Sequence, residues 1–527
     1  MLELYDCTLR EGDQSKGAGF SLDDRLKMSL LLDELGIDYI ELGWPSKSKE
    51  VFDSFRHIIP AVKRSKIVAF GSTSRTKNPE DDENLDLLTK CGARYACIFG
   101  KSDSSHVENQ LRVSKQENLD KIQKSIEFLR KKGLKVFYDA EHFFDGFKRD
   151  REYAMQTILS AIEGGAERIV LCDTNGGTFT SDVKDITSYV KNELDKRKIN
   201  SLLGLHLHDD RGLATASALV CLPHVVQVQG TINGVGERVG NQNLTTLIGN
   251  LDEQSYGLEI KLEQLKKVND ESFRLCGLIP DRGRPYVGDT AFAHCGGVHI
   301  NGVMRDACYE HTNPARYGNK RVIILSSSGG SSSAIETASQ FGMTLDKNSP
   351  DFGEKLQRLM EELSNNERAG YDLGGLFAEQ FLLLDRHFGS RKQLFDVKAW
   401  KSESERYLNG GEGASFYGVC SVNGKEKLID HKMTTDGGPV DAAFNTLKEM
   451  IMPYYPGARD LHLVYFEVKI AREREEQSTV RTEVWFKNGE EFSTVGVDKN
   501  IIGSAVEALG KGFRYHLLRK GNLQGRI

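Results

Sequence analysis

No apolar run in this sequence approaches the roughly 20 residues that a membrane-spanning helix requires, and no secretory or transit-like leader opens it. These absences predict a cytoplasmic protein with no membrane partner. Paired cysteines are missing as well: nine cysteines run from Cys7 to Cys420 without a C-x-x-C, which speaks against a disulfide frame or zinc ribbon and for reduced, mostly buried thiols. Nor is there an excess of positive charge. With 70 Lys and Arg against 76 Asp and Glu, the formal net charge is -6, so there is no basic stripe for nucleic acid, and anionic substrates must meet cations supplied locally. The chain has no P-loop, no G-x-G-x-x-G opening a first helix and no G-x-S-x-G, so nucleotide hydrolysis and serine hydrolysis recede.

What is present is a regular alternation. The 527 residues are too many for one ordinary core and predict two or three domains. Through the first half, eight β-rich runs end in polar or glycine residues: LELYDCTL, IDYIELG, KIVAFGST, YACIFG, KVFYDAEHF, RIVLCDT, LLGLHLH and VVQVQGTI. Helical patterns separate them. In the first, Ser21 can cap, Leu22, Leu26, Leu30 and Leu31 form an apolar stripe, and Gly36 can terminate. Eight such units over about 250 residues predict a (β/α)8 TIM barrel over residues 1–275, rather than a doubly wound open sheet, because the chemically loaded residues fall at many strand ends, which a barrel gathers into one ring. Residues 276–404 read as a helical linker region containing SSSGGSSS, a candidate mobile spacer. From 405 to 527, strands GASFYGVCSV, LHLVYFEVKIA and STVRTEVWFKN around helix PVDAAFNTLKEMIM predict a small C-terminal α+β domain of regulatory or dimerising character.

The chemistry concentrates at the strand ends. In HLHDD, His206 and His208 stand two apart on the seventh run, so both rings project to one face and can grip one ion; two satisfied core histidines are the plainer alternative. Glu11, delivered to the same rim by the first strand, would complete a 2-His-1-carboxylate set with open positions, although alone it could be a solvated loop acid. Asn241, in GVGERVGN, is either a fourth ligand or glycine-loop filler. Arg10 cannot lose its charge and could hold a carboxylate or a developing oxyanion, or form a surface salt bridge. Glu141, Thr174 and His106 sit at further strand ends; Glu141 could exchange a proton and Thr174 could hydrogen-bond a carboxylate, although each alone is more often structural. His142 and His224 read as structural or surface histidines.

The stretches DCTLREGDQ, HLHDD and NGVGERVGNQNL together resemble the barrel enzymes that condense an acyl-CoA with a 2-oxo acid: isopropylmalate, homocitrate and citramalate synthases, with related lyases. ELGIDYIELGWP, VFYDAEHFFDGFK, LCDTNGGTF, FAHCGGVHINGV, DGGPVDAAFNTLKE and STVGVDKNIIGSA are similar to the long citramalate synthase group and span nearly the whole chain. The resemblance implies a divalent metal ion (Mn, Mg, Zn or Co) on Glu11, His206, His208 and Asn241, with Arg10 facing the 2-oxo oxygen. His106 and Thr174 would contact the 2-oxo acid, Glu141 would be a catalytic acid, and His299, with His294 close by, would be the histidine lent by a partner subunit. The implied activity is an acyltransferase reaction, a Claisen-type condensation of acetyl-CoA with pyruvate. The resemblance also implies a C-terminal regulatory domain, with isoleucine as the candidate effector, and a homodimer or higher homo-oligomer. The family's acid after the arginine is commonly aspartate in isopropylmalate and citramalate synthases and glutamate in homocitrate synthases, so Glu11 keeps homocitrate synthesis open, and 2-isopropylmalate synthesis is the other alternative within the family. A metal-dependent carbon-carbon lyase and a catalytically silent sensor are the readings from other classes.

Overall fold

A computed structural model describes residues 2–523, apart from 16–18, 201, 252–255, 307–308, 372, 374–375, 390–393, 407–411, 423–424, 432–436 and 473–477. It divides into two compact units, residues 1–291 with 313–320, and residues 292–312 with 321–527. The first is the expected barrel. Strands β1 (Glu3–Asp6), β2 (Tyr39–Gly43), β3 (Lys66–Ser72), β4 (Tyr95–Lys101), β5 (Lys135–Glu141), β6 (Arg168–Asp173), β7 (Leu203–Leu207) and β8 (Gln227–Gly230) pair in sequence order. Parallel pairing of β1 with β8, Tyr5 opposite Gln229 and Asp6 opposite Gly230, closes the ring. Tyr5, Tyr39, Val68, Cys97 and Phe137 pack together within the barrel strands, so the interior is a filled core rather than a pore.

The helix after β1, Leu22–Leu35, starts where the sequence predicts: the Ser21 hydroxyl accepts from Asp24 N–H in a capping box, and Gly36 ends it at φ 106. Its buried face is different. Arg25, Met28, Ser29, Leu32 and Leu35 are buried, whereas Leu30 is 42% exposed. The expected leucine stripe is corrected because Arg25 takes the inward position, where its guanidinium donates to the Leu9 and Leu42 carbonyls at 3.3 and 2.8 Å and pairs with Asp13.

In the second unit, SSSGGSSS is folded rather than a spacer. Gly330 opens a helix, Gly330–Gln340; Ser327 Oγ donates to Glu367 at 2.7 Å, and the fully buried Ser333 donates to the Ile324 carbonyl at 3.0 Å. The C-terminal part is α+β and has an internal repeat of sheet and helix. One antiparallel sheet holds Phe395–Arg406, Glu412–Val422 and Lys425–His431, followed by helix Pro439–Ile451. The other holds His462–Arg472, Thr479–Lys487 and Glu491–Asp498, followed by helix Ile501–Leu523. Its first strand begins before residue 405, where the sequence reading starts this domain. Phe395, Phe416, Phe444, Phe486 and Phe513 fill one shared core. Among the described residues, no helix is long and apolar enough to cross a membrane.

Candidate functional site

The site is built first on a single helical turn. β1 ends at Asp6, whose buried carboxylate accepts from Thr8 N–H at 3.0 Å, Thr8 Oγ1 at 2.7 Å and Ile232 N–H at 3.3 Å. Burial pushes Asp6 up to about 7. That knot starts the turn Thr8–Glu11, all four residues of which are buried, and Arg25 holds the Leu9 carbonyl from outside. Arg10 and Glu11 are thereby aimed inward at the lip of the barrel.

Arg10 is held on three sides. Its Nε donates to Glu41 Oε1 at 2.5 Å, Nη1 pairs with Glu11, and its guanidinium carbon lies 3.9 Å from the Phe70 ring centroid. Tyr5 donates to the other Glu41 oxygen at 2.5 Å. The guanidinium is unable to rotate freely, and among the described residues Nη2 has no hydrogen-bond partner.

His206 lies in β7 and His208 just beyond its end, on the same side as period-two geometry requires. One donor atom from each of Glu11, His206 and His208 lies within 4.8 Å of the others, and all three side chains are buried. His206 Nε2 stands 3.7 Å from Glu11 Oε1, while its Nδ1 meets Gln229 Oε1 at 2.9 Å. Asn241 faces His208 across an isolated antiparallel bridge. Its Nδ2 donates to the Val235 carbonyl at 3.2 Å. Among the described residues Asn241 Oδ1 and His208 Nδ1 are buried without hydrogen-bond partners, so both atoms are open to a water or a ligand. The loop before Asn241 is folded tightly against it: a Cβ at Gly236 would lie 2.2 Å from Asn241 Nδ2, and one at Gly240 (φ 109) 1.9 Å from the Gly234 carbonyl.

The electrostatics suit a cation. Burial would raise Glu11, but Arg10 and the two histidines outweigh it and hold its carboxyl below the usual range. Burial, reinforced by His206, pushes His208 down to about 4. Near neutrality Glu11 is therefore anionic and His208 neutral, the states in which each can bind metal. Two imidazoles, one carboxylate and an amide oxygen fit a divalent first-row ion.

A second group occupies the ends of β4, β5 and β6 on the same rim. Lys101 Nζ lies 2.8 Å from Glu141 Oε2, an ion pair without hydrogen-bond alignment. His106 meets His142 edge-on, ring centroids 4.3 Å apart; burial and then His142 lower its pKa. His142 adopts φ 57, and its N–H donates to Thr174 Oγ1 at 2.8 Å. Of the two readings given to His142 from the sequence, this is the structural one, its backbone bracing Thr174. The Thr174 carbonyl accepts from Arg238 at 3.0 Å, and Arg238 grips Asp210 bidentately at 2.8 and 2.9 Å. His224 follows helix Ala214–Cys221 and leads into β8, at the opposite end of the barrel. In the second unit, His299 lies on helix Gly297–Asp306, exposed, with its ring stacked on Tyr309 at 4.3 Å. His294 is instead buried, 3.2 Å from a Glu310 that also pairs with Arg321.

Glu41 and Gln229 escape the sequence reading. A signal exists for both: Glu41 is the charged centre of YIELG, every residue of which is buried, and QVQG puts amides into a barrel strand that is also wholly buried.

Comparison with known proteins agrees with this architecture. Residues 1–271 match the HMGL-like family, residues 286–363 the homocitrate synthase post-HMGL domain-like family, and residues 380–517 the LeuA allosteric (dimerisation) domain. The class is therefore a condensing enzyme of the isopropylmalate and homocitrate synthase type, built on an HMGL-like barrel. An (R)-citramalate synthase of Aquifex aeolicus is 37% identical, covering 98% of this chain and 98% of its own; that of Sulfolobus acidocaldarius is 36% identical over 98% and 97%. A 2-isopropylmalate synthase of Listeria innocua is more distant, at 26% over 96% and 95%. The chain belongs to the (R)-citramalate synthase family.

Proposed function

We propose that the protein condenses acetyl-CoA with pyruvate and hydrolyses the resulting thioester, releasing (R)-citramalate and CoA, a transfer in which the acyl group becomes an alkyl group. The observation that carries this reading is the convergence of Glu11, His206 and His208 donor atoms within 4.8 Å, beside an Arg10 locked by Glu41. When bound at these ligands and Asn241, a divalent ion (Mn, Mg, Zn or Co) supplies Lewis acidity toward the oxygens of the 2-oxo acid.

The chain's own residues supply the rest. With Nε committed to Glu41 and Nη1 to Glu11, Arg10 offers Nη2 to the keto oxygen, where negative charge grows as the new carbon-carbon bond forms. The Thr174 hydroxyl accepts from the His142 amide, which leaves its own hydrogen to donate to the pyruvate carboxylate, with His106 alongside. Glu141, beside Lys101, and His299 from a partner subunit divide the proton transfers: one proton leaves the acetyl methyl, one reaches the former keto oxygen. Water then cleaves the thioester and CoA departs as a thiol.

In this reading, residues 1–275 are the catalytic barrel, the residues from 276 to the start of strand Phe395–Arg406 the connection that carries His299 to a partner's site, and the residues from that strand onward the effector-binding and dimerising domain of a cytoplasmic homodimer or higher oligomer. The LeuA allosteric domain match supports a regulatory role for this part of the chain, and isoleucine is the candidate inhibitor there. The test is metal content and turnover of His208→Ala beside the unsubstituted protein. Loss of both supports the reading; full metal content with full turnover would refute it.

A further inference from the structure

The barrel core contains a chain of polar side chains that runs to the metal-facing histidine, and each link has a defined direction. At its far end Arg168 grips Glu3 with Nε and Nη2, at 2.9 and 2.7 Å. The Glu3 carboxylate can only accept, so Gln227 must turn its Nε2 toward it, at 3.2 Å. That leaves Gln227 Oε1 to accept from Gln229 Nε2 at 3.4 Å. The same Gln229 nitrogen donates to Asp139 Oδ1 at 3.3 Å, an oxygen that also receives the Cys97 thiol at 3.1 Å. Asp139 is 4% exposed, and Gln227, Gln229 and Cys97 are fully buried, so bulk solvent does not compete for these bonds.

With two acceptors fixed on its nitrogen, Gln229 has one orientation, and its Oε1 must face His206 Nδ1 at 2.9 Å. An oxygen there requires the hydrogen of His206 on Nδ1. Nε2 then carries the lone pair, and Nε2 is the atom 3.7 Å from Glu11.

We infer that Gln229, oriented by Asp139 and Gln227, is a positioning residue that fixes the His206 tautomer and ring angle so that its Nε2 is ready to bind the divalent ion. The inference rests on the metal reading above. It explains why a closed barrel tolerates two glutamines and an acid in its core, where apolar side chains fill such interiors at lower cost. It also gives Asp139 a task one hydrogen bond away from the ligand, the relation in which outer partners tune metal-bound imidazoles.

The experiment is Mn2+ binding to the full chain, stripped of metal by chelation, measured by the electron paramagnetic resonance of free Mn2+, with kcat recorded in parallel. Gln229→Met keeps the shape but removes both ends of the link, and Mn2+ affinity is expected to fall about 10–100-fold. Gln229→Glu still accepts from Nδ1 but faces the Asp139 carboxylate without a donor between them, so it too should bind weakly. The double variant Gln229→Glu/Asp139→Asn moves the amide to position 139, restores a donor between the two side chains and keeps the net charge. It should recover part of the lost affinity, since the link to Gln227 Oε1 stays broken, and a purely structural glutamine would give no such recovery.

Unchanged Mn2+ affinity in Gln229→Met, or a double variant no better than Gln229→Glu, would overturn the inference while leaving the metal site standing. Failure of the unsubstituted protein to bind Mn2+ would overturn both. Should the methionine variant not fold, the comparison of Gln229→Glu with the double variant decides alone.

Discussion

Replacing Arg10 by methionine separates two jobs that the arginine performs. In the structure it is the cation between two buried carboxylates, Glu11 at 3% and Glu41 at 0% exposure. Removing it leaves Glu41 buried and uncompensated, which costs about 3–5 kcal/mol when a buried pair is broken from one side. Burial already raises Glu41, and without Arg10 the rise must grow. A carboxyl whose folded pKa lies above its unfolded value, about 4.3, binds protons more tightly when folded. The variant should therefore gain stability as pH falls toward that value and lose it as pH rises through the raised folded pKa. Turnover should fall about 100- to 1,000-fold from loss of the group facing the growing oxyanion. The double substitution Arg10→Met/Glu41→Gln removes the stranded charge as well. Urea unfolding should show most of the stability restored, while CoA release stays at the level of Arg10→Met. Recovery of turnover in the double variant would refute the assignment of Arg10 to the 2-oxo oxygen.

Added Mn2+ should raise the melting temperature of the unsubstituted protein, and substituting His206 or His208 by alanine should abolish that rise together with metal-dependent turnover; an undiminished rise would count against the ligand set. In the metal-free protein, the His208 ring should stay neutral from pH 8 to 5, because its pKa is pushed down to about 4, and proton NMR titration reads this directly. The sign follows: the folded state binds this proton less tightly, so its contribution is intact above the unfolded value of about 6.5 and is lost as pH falls below that value toward 4. In the C-terminal core, Phe444 is 5% exposed and stacks on Phe513 at 5.4 Å. Phe444→Ala should cost about 3–5 kcal/mol, visible by calorimetry, with turnover per folded molecule unchanged. Isoleucine should slow CoA release by the full chain and bind in calorimetric titration, and an inhibition curve that stays flat would remove it as the effector.

The barrel was legible because its signals are local. Each β-rich run and its glycine or polar ending occupies consecutive residues, and the two-residue spacing of His206 and His208 needs only strand geometry to aim both rings one way. What failed locally was overridden from elsewhere in the fold. Arg25 lies on the buried face of its helix because the carbonyls of Leu9 and Leu42, remote in sequence, await a donor there. SSSGGSSS looks like a spacer by composition, but Ser327 and Ser333 find partners at Glu367 and Ile324. Strand Phe395–Arg406 was hidden by its polar end, KSESER, and is formed by antiparallel pairing with Glu412–Val422. The candidate ligands Glu11, His206 and His208 could be nominated from the chain. The groups beside them, Glu41 and Gln229, left only a bare signal, an acid or an amide inside a strand run, whose meaning appears only once the strand across the barrel is known.

The central claim concerns which 2-oxo acid is joined to acetyl-CoA. It is tested most directly by CoA release from purified protein supplied with acetyl-CoA, a divalent metal and, in separate reactions, pyruvate, 2-oxoisovalerate, 2-oxoglutarate or oxaloacetate. Pyruvate is expected to give the highest kcat/KM, with (R)-citramalate recovered in proportion to thiol. Preference for 2-oxoglutarate, or thiol release that is the same with and without pyruvate, would contradict it.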